Sequence, residues 1–152
     1  MANTQAMCTT FMEELLEGVH NFTTGTGNTF KAALYLASAT YNASTTAYSA
    51  TGEVSGTNYS PGGITVTNGT SPTATNASAT AGVAYWTPTA SLTYTNVTLT
   101  TAFDAVLIYN SSASNKAVSV HTFGSQTVTA GTFTLTMPAN TTSTALIRLA
   151  TT

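Results

Sequence analysis

AVLIY, residues 105–109, is apolar at every position, and so short an apolar run reads as a central strand covered on both faces. FTLTM, residues 133–137, sets Phe133, Leu135 and Met137 on one side and Thr134 and Thr136 on the other. That period of two belongs to a half-buried strand. Working outward, FKAALYLA (30–37) reads as a mostly buried strand. GGITVT (62–67), ASLTYTNVTLTTAF (90–103), AVSVHTF (117–123), GTFTLTMP (131–138) and TALIRLA (144–150) follow, with turn residues between them. This spacing, with no repeated helix pattern, predicts an all-β chain: a jelly-roll-like β-sandwich, with a closed barrel as its structural competitor. Residues 69–80, GTSPTATNASAT, lack periodicity and read as a loop or ragged edge.

The composition agrees. Threonine supplies about a quarter of the 152 residues, and β-branched side chains suit a pleated surface better than a helix. Only 5% of the residues are charged, against about 25% in ordinary domains. Disordered chains combine low hydrophobicity with high net charge; here 42% is hydrophobic and the net charge is −2. Lys31, Lys116 and Arg148 are the only Lys or Arg residues, too few to neutralise a row of phosphates, so nucleic acid is not an expected partner. Nor is a membrane, because no apolar run approaches 18 residues and the start carries neither a basic nor an apolar signal region. Synthesis in the cytoplasm is the expectation. Cys8, the single cysteine, permits no internal disulfide. Thr-x-Thr pairs lack the solenoid repeat of an ice-binding array and read as the solvent face of strands.

The first 22 residues differ from the rest and read as an arm, with residues 23–152 as the single β-sandwich domain. Thr10 and Glu13 have capping-box spacing. Glu13 and Glu14 are expected to complement the helix dipole. Phe11, Met12, Leu15, Leu16 and Val19 recur on one side, Glu13, Glu14 and Glu17 on the other, and Gly18 marks a stop. The result is a short amphipathic helix whose stripe must pack on its own sheet or on a neighbouring subunit.

Catalysis needs convergent ionisable groups, and few are present. Asp104, His121 and one of the serines could form a triad only by geometry, and no G-x-S-x-G elbow supports one. His121 alternates within a strand and reads as structural. Cys8, His20, Asp104 and His121 lack metal-ligand spacing. Gly25 and Gly27 lack the further glycine and helix of a phosphate cradle. No cofactor, metal or enzymatic activity is therefore expected. Most of the seven tyrosines and Trp86 read as core. Tyr59, in TGEVSGTNYSPGG (51–63), reads as an exposed anchor, on a loop that Pro61, Gly62 and Gly63 stiffen into a turn.

The run FMEELLEGVHNFTTGTGNTFKAALYLASATYNASTTAYSATGEVSGTNYSPGG, residues 11–63, resembles the N-terminal half of capsid cement or decoration proteins, the head auxiliary proteins of tailed bacteriophages. The motif order carries the likeness: a helix ending near GVHNF, then TFKAALY, then AYSATGEVSGTNYSPGG. The resemblance covers about a third of the chain. It implies a virion protein on the capsid surface that bridges major capsid protein subunits; closed symmetry at a capsid axis makes self-association the further expectation, a dimer being favoured over a trimer. Phe11, Leu15, Leu16 and Val19 form one candidate docking surface, and Glu53 with Tyr59 another. The alternative is a tail, fibre or receptor-binding component whose aromatics contact host glycans.

Overall fold

The strands expected separately over 90–103 and 105–110 are one continuous strand, and those expected over 117–123 and 131–138 are another. In chain order the elements are β1 (Ala6–Met7), α1 (Thr9–Leu16), β2 (Phe30–Leu36), β3 (Ile64–Thr65), β4 (Thr73–Thr75), β5 (Val83–Trp86), β6 (Leu92–Asn110), β7 (Lys116–Leu135) and β8 (Ile147–Ala150). The structure is a computed structural model and describes residues 2–75 and 82–151. Of the stretch expected as a loop, Thr73–Thr75 is instead a strand, because its backbone pairs antiparallel with β5. Residues 69–72 are outside any strand, as expected, and 76–80 lie outside the described residues.

Two antiparallel sheets result, in the orders β1-β7-β6-β2-β3 and β4-β5-β8. β6 lies between β7 and β2, so Ala105 through Tyr109 are all buried, as an apolar run without alternation demands. Phe133, Leu135 and Met137 are half-buried while Thr134 and Thr136 face solvent. The β6–β7 hairpin turns through Ser114 and Asn115, both at positive φ. Register shifts interrupt it between Tyr94 and Ala105 and again between Ile108 and Tyr109, and Asn96 (φ 53°) and, on β7, Ala130 (φ 46°) take left-handed backbone along it. Such bulges bend and twist long strands.

The smaller sheet closes over the larger through Trp86 and Ile147, giving a β-sandwich-like all-β fold with a short N-terminal helix. Phe22 bridges the layers, stacking on Phe30 with ring centroids 4.3 Å apart and meeting Trp86 at a tilt with centroids 4.7 Å apart. The N-terminal segment is not a detached arm. Ala6 and Met7 pair with Val120 and Ser119, Asn3 Nδ2 donates to the Leu36 carbonyl, and Phe11 enters the core. An eight-residue helix cannot hold an apolar stripe in water alone, so it packs on its own sheet.

Candidate functional site

The helix begins two residues earlier than the capping box requires. Cys8, in extended backbone, is the N-cap and offers no side-chain cap; its own N–H donates to the Val118 carbonyl. Thr10 thus sits inside the first turn, where its hydroxyl is buried and makes no hydrogen bond. Glu13 and Glu14 lie beyond that turn, so the dipole complement expected from them is also missing. The other end is as expected. Gly18 takes φ 73°, its N–H donates to Leu15 O, and the Val19 N–H donates to Glu14 O. This pair of bonds is a Schellman motif, which turns the chain back under the helix.

That return explains why one glutamate is not on the solvated face. Glu14 is 5% exposed: His20 Nε2 donates to its Oε2 at 2.7 Å, and Lys116 Nζ donates to its Oε1. Asn110 Nδ2 donates to His20 Nδ1 and to Asn28 Oδ1, which places the ring proton on Nε2. Burial alone would raise the Glu14 pKa; the hydrogen bonds from Lys116 and His20 outweigh it and hold the carboxyl below its ordinary value. Burial, with the Glu14 charge adding to it, pushes the Cys8 thiol up to about 12, so this cysteine is not a nucleophile at neutral pH.

The predicted stripe divides by depth. Phe11 is fully buried and cannot dock a partner; Leu15 and Val19 are half-buried; Leu16 is 92% exposed and Met12 49%. Phe11 and Leu15 also line a cleft of about 430 Å³, together with His20, Phe22, Trp86 and Leu149. Asn68 helps to build its floor, donating from Nδ2 to Phe22 O and accepting from Trp86 Nε1 at 3.0 Å. The sequence around Asn68 carries no signal of this role.

At the second predicted surface, Tyr59 is 8% exposed and is no anchor for a partner. Its hydroxyl accepts the Leu34 N–H from β2 and donates to Glu53 Oε1 at 2.8 Å. Glu53 also accepts from the Gly62 N–H and from Tyr48 Oη. The loop over 51–63 is therefore braced against the sheet by its own tyrosine and glutamate. The turn itself presses directly on β2: at Gly63 (φ 71°) a Cβ would lie 1.7 Å from Ala32 O.

Ser119 Oγ and His121 Nε2 are 2.9 Å apart, whereas Asp104 accepts from Asn3 Nδ2. Burial lowers the His121 pKa to about 4. Among the described residues no three metal-ligating side chains gather, and no helix is long and apolar enough to cross a membrane. No protein-family model matches the chain, and neither does any curated protein or solved structure.

Proposed function

We propose that this chain is a non-enzymatic virion protein that binds the outside of a tailed-phage capsid and stabilises it by bridging major capsid protein subunits. The observation that supports this reading is the uncovered apolar strip of α1. Leu16 and Met12 lie open on a scaffold whose aromatics are spent on its own core. Repeated over a closed shell, modest contacts of this kind add by multivalency. The resemblance of residues 11–63 to cement proteins points the same way. The glycan-binding alternative needs an aromatic platform; of the tyrosines, Tyr48 and Tyr85 are half-buried and the other five are buried, as is Trp86.

The test is quantitative mass spectrometry of purified virions, comparing copies of this chain with copies of the major capsid protein. A ratio near unity, or a simple fraction of it, is the expected result. A few copies per particle would move the protein to the tail, and absence would remove it from the virion.

A further inference from the structure

β7 is the longest strand of the fold, and one of its edges is mostly uncovered. On the side away from β6 it pairs with β1 at Ser119 and Val120; beyond Val120 no described residue pairs with that edge. Alternate backbone N–H and C=O groups there point outward with no strand to receive them, and the group that completes such an edge is another extended backbone.

The other sheet edges are guarded. β3 is two residues long, β4 has three and follows Pro72, and β8 carries Arg148. Shortness, proline and charge are the usual means of keeping an edge from pairing. β7 has none of them: after its first residue, Lys116, it contains no Asp, Glu, Lys, Arg or Pro, and the next proline is Pro138. Its bulges give some protection, but beyond Ala130 (φ 46°) the exposure of 131–135 alternates without a break.

This segment is also complementary to itself. Thr132 and Thr134 are exposed, while Phe133 and Leu135 are half-buried on the opposite face. A second copy laid antiparallel about a two-fold axis at Phe133 sets Thr132 opposite Thr134, Thr134 opposite Thr132 and Phe133 opposite Phe133, so each face meets its like. Phe133 already rests against Phe103, ring centroids 5.0 Å apart and nearly perpendicular, so little of its position remains to be ordered on pairing. No charge lies in the segment, so contact of like with like meets no repulsion, and a charged foreign strand has nothing there to select it.

We propose that two copies of this chain pair antiparallel through residues 131–135 of β7, joining their larger sheets across a two-fold axis. The inference stands apart from the capsid reading, whose partner is a different protein.

Sedimentation velocity of the full chain over the micromolar range is expected to show a reversible equilibrium of monomer and dimer. Thr132→Lys with Thr134→Lys sets lysine opposite lysine at both threonine pairs and should weaken the dimer about tenfold or more. Thr132→Glu with Thr134→Glu should do the same. Mixed, the lysine and glutamate chains should form a heterodimer that weakens with salt. Both sites are exposed, and circular dichroism with the thermal midpoint verifies that the variants fold. In the wild type, amide hydrogen exchange within 131–135 should slow as the protein concentration rises, a readout that needs no variant. A wild type that stays monomeric, a dimer indifferent to the lysine pair, or lysine and glutamate chains that do not pair when mixed overturns the proposal. So does a dimer that Leu16→Ser dissociates. Virion copy number is independent of all these outcomes, so the capsid reading and this one can fail separately.

Discussion

His20 donates to Glu14 at 2.7 Å from beyond the end of the same helix, and Lys116, 102 residues further along the chain than Glu14, closes the other side of the carboxylate. A buried charge is thereby met from both directions. Removing it leaves a histidine and an ammonium facing a gap; keeping it fixes the helix end, the Schellman turn and the start of β7 in one arrangement.

Glu14→Gln should lower stability by about 2 kcal/mol at pH 7, because two charge-assisted hydrogen bonds are weakened in a buried site. Urea denaturation measures the loss. Glu13→Gln, on the exposed face, should change stability by no more than about 0.5 kcal/mol.

The same carboxylate fixes an acid limit. Its folded pKa lies below the ordinary 4.5, so its contribution is present above that value and is lost as the pH falls through the depressed one. Thermal melts of the wild type and Glu14→Gln from pH 7 to pH 3 should therefore converge at the acid end.

His121 acts in a different window. Its pKa falls from 6.5 to about 4 in the fold, so between those values the unfolded chain binds the extra proton and stability drops as the solution is acidified. The loss should reach up to about 3 kcal/mol by pH 4 and level off below it. His121→Gln should flatten this slope between pH 6.5 and 4, as read by denaturant titration at several pH values.

Tyr59→Phe should cost about 1–3 kcal/mol, since the hydroxyl is both acceptor for the Leu34 N–H and donor to Glu53. An unchanged urea midpoint would show that the loop over 51–63 is not braced in this way.

The glycines give a paired comparison. Gly63→Ala should destabilise by more than about 2 kcal/mol, because the new methyl meets Ala32 O as well as an unfavourable φ. Gly18→Ala has the same backbone problem but nothing within 4 Å of its Cβ, and should cost about 1 kcal/mol.

What could be read from the sequence was whatever local pattern controls. The apolar AVLIY run, the alternation of Phe133, Leu135 and Met137, and the stop at Gly18 each carry their reason within a few residues. The long hairpin was harder, because a register shift between Phe103 and Ala105 and the left-handed backbone at Ala130 fall where the strand pattern breaks. Three glutamates in one helix look alike until a turn brings His20 back beneath only one of them. Tyr59 sits among Gly, Asn, Ser and Pro, which suggests surface; its burial depends on Leu34 and Glu53, and no local pattern records that. Of the predicted docking residues, Leu16 is fully accessible, Leu15 and Val19 half so, and Phe11 not at all. The helical period gave their side but not their depth.

The pairing of β1 with β7 has a consequence for how the chain is made. Residues 6–16 leave the ribosome well before Val118 and Val120, the strand against which they close. Until more than a hundred further residues have been added, Phe11 and Leu15 have no sheet to enter, and Glu14 has no Lys116. This earlier segment is seated only after β7 emerges, and until then its apolar face is open to whatever in the cell holds nascent chains.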